Sequence, residues 1–289
     1  MASETTTTSL DDLCAAIIAE ANMTVGLGAD LRQICTQRDL PNGKSGVTFP
    51  LYGAASFASV NEGTDLANQS ISTTSATITP TEHGAMTTLT DMAEWASNPA
   101  QVGADIGRLF AEAARAERNQ TIWALFDAFT TNTAGTTNVD ITEANILSAV
   151  RQLMNAQAPP PYYMPITPHV FEDLLTLYST NSNQTADQIR NSVLNSGIMP
   201  PIYGVIPLLV DNLASGSSAA GKRDSADAKC AVLSTAALGY VEGYPGVGFK
   251  LEYERDASLR AWEIVATTKY AVGELVDAYG CELLVDNKD

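Results

Sequence analysis

Positive charge is what this sequence has least of. Sixteen Lys and Arg side chains stand against 33 Asp and Glu, a formal net charge of −17 over 289 residues. Proteins that read nucleic acid draw affinity from neutralising phosphates. The longest basic cluster here is Lys222-Arg223, so specific DNA or RNA recognition is not expected. An acidic wall could still enclose DNA, since repulsion leaves packed DNA free to move. Histidine is nearly absent too: His83 and His169 are the only two, and neither belongs to an H-x-x-x-H pattern, so no metal is expected. His169 lies in the helix start Thr167-Pro168-His169-Val170-Phe171, where a structural role suffices. The four cysteines, Cys14, Cys35, Cys230 and Cys281, lack C-x-x-C spacing and the density of a disulfide scaffold; buried reduced thiols are expected.

Other absences narrow the function. No apolar run approaches the roughly 18 residues of a membrane helix. Met1-Ala2-Ser3-Glu4 followed by Thr5 to Thr8 has neither the basic nor the apolar region of a signal peptide, which points to a cytosolic product. Neither G-x-x-x-x-G-K-[ST] nor G-x-S-x-G occurs. Gly26-Leu27-Gly28 has no third glycine and no hydrophobic strand before it, so it is no dinucleotide loop. Asp11 and Asp12 are adjacent, which makes them poor acid–base partners. No cofactor and no catalysis are expected, and an acidic cytosolic enzyme is the competing class.

What the chain does have is a polar ribbon joined to a long rod. Val47, Phe49 and Leu51 alternate with Thr48 and Pro50, which reads as a strand. Ala54 to Ser70 has Asn61-Glu62-Gly63 as its tip, and Ser72 to Thr81 returns with only Ala76 and Ile78 as apolar members. Such a ribbon has little on either face to bury and would be marginal alone. Asn98-Pro99 then reads as an N-cap and first helical proline. From there to Phe129 no proline occurs, and the glycines are Gly103 and Gly107. Thirty helical residues would span roughly 45 Å. Val102, Ile106, Leu109, Phe110, Ala113, Trp123, Leu125 and Phe126 mark its apolar stripe. Arg108–Glu112 and Glu112–Arg115 are assigned to a solvated face.

Before the ribbon, Ser9 caps a short helix over Leu10 to Ile18 carrying Leu10, Leu13 and Ile17, and Thr36 to Gly46 reads as a linker with a Pro41-Asn42-Gly43 turn. After the rod, Thr130 to Asn138 is a break. Helices are expected at Glu143 to Met154 (Ile146, Leu147, Val150, Leu153 and Met154 on one face), from Pro168 (Val170, Phe171, Leu174, Leu175, Tyr178) and at Ala186 to Asn195. Strands are expected at Tyr162 to Ile166, Val205 to Val210, Cys230 to Leu233, Phe249 to Tyr253, Leu259 to Ala271 and Glu282 to Val285, with an exposed loop at Ala214 to Ala228. The class is α+β.

This order of parts resembles the Hong Kong 97-type major capsid proteins of tailed phages. The resemblance is carried by Leu251 to Asp256, Glu263 to Tyr270 and Cys281 to Val285, with Asn61-Glu62-Gly63 and Tyr163 to Pro168 in support. It implies an N-terminal arm (1–46), an extended β-loop (47–81), a peripheral domain with a spine helix (82–138 and 254–280) and an axial α/β domain (139–253 and 281–289). It further implies pentamers and hexamers closing an icosahedral shell around double-stranded DNA, assembled in the host cytoplasm with a portal protein, a scaffolding protein and room for a decoration protein. An encapsulin, a related shell that encloses cargo enzymes, is the alternative; the Ser/Thr-rich loop and full-length arm favour the phage. Phe57 and Val60 are expected to dock on a neighbouring subunit, with Glu62 and Asp65 facing cations there. With 46 residues before the first loop strand, no long cleaved pro-segment is expected. The type member of the family carries lysine–asparagine cross-links, yet Ser45 to Thr81 holds no lysine and no asparagine lies between Leu213 and Asp286.

Overall fold

The computed structural model describes residues 30–286 apart from 54, 58, 64, 66–67, 92–98, 137–138, 181–190, 192, 194–198, 211–226 and 245–249. The expected helix at Leu10 to Ile18, the Asn98 cap, most of Ala186 to Asn195 and nearly all of the loop from Ala214 lie outside the described residues.

Strand β11 (Ala261–Glu274) organises the first sheet. One edge pairs along its whole first part with β4 (Thr81–Thr90), from Ala261↔Thr90 to Tyr270↔Thr81. The other edge serves two partners end to end: β10 (Lys250–Asp256) up to Thr267, then β9 (Leu238–Glu242) from Tyr270 onward. A short β1 (Thr36–Asp39) adds a parallel edge to β9. The expected linker is therefore partly a strand. β4 was not expected at all: Thr81 to Thr90 has only Met86 and Leu89 as bulky apolar residues, and it is a strand because β11 offers it ten consecutive partners.

The second sheet runs β5 (Thr133–Gly135), β12 (Gly280–Asp286), β8 (Asp227–Ser234), β6 (Tyr162–Ile166), β7 (Val205–Leu209). Cys230, Ala231, Val232 and Leu233 of β8 are all fully buried, the continuous apolar run of a strand covered on both faces. Helix α2 (Glu143–Asn155) packs on this sheet, capped by the Thr142 hydroxyl, which accepts from the Asn145 N–H at 3.3 Å. Ile146, Val150 and Leu153 face inward, but Leu147 and Met154 are exposed; each sits about 100° around the helix from its buried neighbour, outside the covered arc. Helix α3 (Pro168–Thr180) buries Val170, Leu174 and Tyr178. Cys35, Cys230 and Cys281 are free and buried, and desolvation raises the Cys230 and Cys281 thiols to about 12.

Helix α1 runs Pro99–Ala124, 26 residues or about 39 Å. A 3-10 turn, Leu125–Ala128, ends it short of Phe129. The second half of α1 sinks Ile122 and Trp123 into the main core, and the 3-10 turn adds Phe126. The first half of α1 corrects the sequence reading. Leu109 is 66% exposed, whereas Arg115, assigned above to a solvated face, is only 7% exposed. The buried arc runs through Ala111, Arg115, Arg118, Asn119 and Ile122 instead, rotated away from the apolar stripe.

The ribbon pairs β2 (Val47–Tyr52) with β3 (Thr73–Ile78), Val47↔Ile78 to Tyr52↔Thr73. Its root is better buried than expected. Val47, Phe49 and Ile78 form a satellite core with Leu40 and Val241 of β9. The strand alternation puts Thr48, Pro50 and Tyr52 on the open side.

Candidate functional site: an assembly surface

The ribbon continues past β2 and β3 into a loop with little cross-bracing. Gly53 N–H donates to the Ser72 carbonyl at 2.8 Å, and the Gln69 amide exchanges hydrogen bonds with the Ser56 backbone and hydroxyl at 3.3 and 3.1 Å. Beyond these rungs the chain turns at Glu62-Gly63, where Gly63 adopts φ +83°, a conformation cheap only for glycine. Phe57 is fully exposed and Val60 about half so; Glu62 and Asp65 are exposed as well. Tyr52 and Ile71, not singled out from sequence, are also exposed at the two legs of the loop. A bulky apolar residue in a Ser/Thr-rich stretch was the available signal, and it applied to them equally. All four expected contact residues are thus exposed within the chain.

At the other end of the molecule's polar inventory is a buried charge network. Asp30 receives Arg32 at 2.7 Å and lies 3.6 Å from the Arg118 guanidinium, which is 2% exposed. Arg32 reaches Glu242 at 3.8 Å, and the Tyr240 hydroxyl donates to the same Glu242 carboxylate at 2.8 Å. Leu31 N–H donates to the buried Asn119 side chain at 3.0 Å. Residues 30–32, α1 and β9 are bolted together through these groups. Burial raises the Glu242 carboxyl above its ordinary range, outweighing the Tyr240 hydrogen bond and the Arg118 and Arg32 charges. Burial and the Glu242 charge likewise push the Tyr240 phenol up.

The far end of the first sheet is held by exposed charge. Arg255 of β10 grips Asp91 in a two-pronged pair at 2.6 and 2.8 Å, while its guanidinium lies 5.0 Å from the Trp262 ring centre. That hydrogen-bonded pair lowers the Asp91 pKa. Glu263 sits mid-strand between Thr88 and Glu254. Among the described residues no three His, Cys, Asp or Glu side chains converge as a metal site. His83 approaches Glu117 at 3.6 Å and stacks on Tyr270, and His169 approaches Asp173 at 3.8 Å one helical turn on.

Comparison with known proteins bears on this arrangement. Curated protein sequences give no match. Among solved structures the chain is similar to the capsid of the cyanophage P-SCSP1u, at 17% identity over 89% of this chain and 88% of that one, TM-score 0.62. The mature capsid of bacteriophage PhiM1 aligns at 17% identity over 91% and 88%, TM-score 0.62. The head of Helicobacter pylori bacteriophage KHP40 aligns at 11% over 89% and 90%, TM-score 0.63. These likenesses establish the Hong Kong 97-type capsid fold. The sequence profile of the family described as phage capsid protein matches residues 73–281, from β3 to the start of β12, and the chain belongs to that family.

Proposed function

We propose that this chain is the major capsid protein of a tailed phage, assembling as pentamers and hexamers into an icosahedral shell around double-stranded DNA. Its role is structural, without catalysis. The projecting loop carries this reading: Phe57 exposed in full and Val60 in half are surface that a monomer gains by covering. Phe57 and Val60 dock on the neighbouring subunit, and Glu62 and Asp65 meet cations there. Obligate contacts of this type bury about 2,000 Å² or more. In this reading residues 1–46 are the arm, 47–81 the extended loop, 82–138 with 254–280 the peripheral domain, and 139–253 with 281–289 the axial domain. Assembly takes place in the host cytoplasm around a portal protein with a separate scaffolding protein, and a decoration protein can bind the finished shell. A surface charge of this sign suits contents that must not adhere to the wall.

The test replaces Phe57 and Val60 together with Ser. Being exposed, the pair should leave subunit stability within about 0.5 kcal/mol of wild type by urea unfolding. Electron microscopy of the assembly reaction should show closed wild-type particles and few or none from the variant. Normal particles from F57S/V60S would refute the docking role. Double-stranded DNA extracted from mature particles supports a genome container; a protein cargo in its place would support an encapsulin.

A further inference from the structure

Helix α1 lies over β4 and β11 without sealing against them. A cleft of about 360 Å³ remains between them, walled by Ala85, Phe110, Ala113, Ala114 and Ala266, with the His83–Glu117 pair at one end. Of the helix residues that wall it, Ala113 is exposed and Phe110 only partly buried; exposed Leu109 and partly buried Ile106 continue the same apolar stripe toward the helix N-terminus. A groove with an apolar helix face along its edge suits an amphipathic helix laid alongside.

We propose that the N-terminal segment Leu10 to Ile18 of the same chain docks along this cleft as a helix. Where the described chain begins supports that occupant. Asp30 and Leu31 are fixed to Arg118 and Asn119 of α1, and Glu117 and Ala114 of the cleft follow on the next turn of the same helix. From Asn119 to Phe110 is about 13 Å along the axis. The connecting residues 19–29 could span up to roughly 40 Å if extended, so the reach is ample. The segment supplies the matching chemistry. Leu10, Leu13, Cys14 and Ile17 fall at helical spacing on one face, and that face has the same need of cover as the Ile106, Leu109, Phe110 and Ala113 stripe. The docking would extend the bolted contact of residues 30–32 along α1, and it does not depend on the shell reading.

Cys14 provides the probe. In an Ala113→Cys variant, mild oxidation should join Cys14 to the introduced thiol, with C14S/A113C as the blank. Isotope-labelled and unlabelled chains are mixed before oxidation, and the linked peptides are read by mass spectrometry. Links joining only equally labelled peptides are the expected result. Absence of a link above the blank would overturn the proposal. So would links in which the two labels are mixed at random, which would assign the cleft to a second copy's arm. As an independent check, Leu13→Asp with Ile17→Asp should speed amide exchange in residues 106–113 about tenfold while the melting transition stays cooperative; unchanged exchange counts against docking.

Discussion

At the scale of single residues, the least legible feature was the buried charge network. Spacing in the sequence put Glu112 and Arg115 on one helix face and assigned that face to solvent. Helical spacing states which residues share a face; it does not state which face the rest of the chain covers. Residues 30–34 and β9 cover the polar side of α1, so Arg118 is buried against Asp30 while Leu109, in the first half of the apolar stripe, is left open. Breaking such a network is costly because it leaves buried charge uncompensated. Arg118→Ala should lower subunit stability by about 3 kcal/mol in urea unfolding, with residues 30–34 becoming accessible to protease. A loss under about 1 kcal/mol would mean that Arg32 alone suffices for Asp30. Glu242 behaves in the opposite sense. Its carboxyl is raised by burial above the ordinary 4.5, so the native state holds that proton more tightly than the unfolded chain. Its contribution to stability therefore falls as pH rises through the native pKa, and is most favourable below the ordinary value. Glu242→Gln keeps an acceptor for the Tyr240 hydroxyl and removes the charge. The variant should gain on wild type progressively as unfolding is measured from pH 5 toward pH 8, and a gap that stays constant across that range would reject the assignment.

At the scale of elements, the long helix, the ribbon, β6, β8, β10, β11 and β12 were legible to within a few residues, because each carries a periodic or continuous apolar pattern of its own. β1, β4, β5 and β9 were not. Thr36–Asp39 has no apolar residue, Thr133–Gly135 is three residues long, and Leu238–Glu242 contains a glycine and a glutamate. These strands are made by their partners: β4 and β9 by the length of β11, β1 by β9, β5 by β12. β5 depends on backbone fit as well. Gly135 has φ +83°, and a Cβ there would lie 2.0 Å from the Leu284 carbonyl oxygen. Gly135→Ala should therefore detach β5 from β12 at a cost of about 2 kcal/mol or more, seen as loss of exchange protection at Thr133 to Gly135 with β8–β12 pairing retained. Protection retained at wild-type level would show that the backbone absorbs the methyl group.

At the scale of the whole molecule, the chain leaves Phe57, Val60, Tyr52 and Ile71 exposed along one loop and carries a formal net charge of −17. What locks such subunits together must then be sought in noncovalent contact. The covalent route of the type member needs a lysine on the extended loop, an asparagine on the neighbour's peripheral domain and a glutamate base in an apolar pocket that lowers the amine pKa by desolvation. The ribbon and loop from Ser45 to Thr81 hold no lysine; the nearest, Lys44, sits at the root, its backbone N–H donating to the Pro41 carbonyl at 3.1 Å. No asparagine lies between Leu213 and Asp286, and Glu263 stands mid-strand in β11, flanked by Thr88 and Glu254. Glu62 remains, exposed at the loop turn. A carboxylate without amine or acceptor has no reaction to assist. Mature particles boiled in detergent should thus release the chain as one band near its monomer mass of 30.6 kDa. A ladder of detergent-resistant multimers would show that another nucleophile, with Lys44 the first to test by Lys44→Arg, reaches a partner across the subunit boundary.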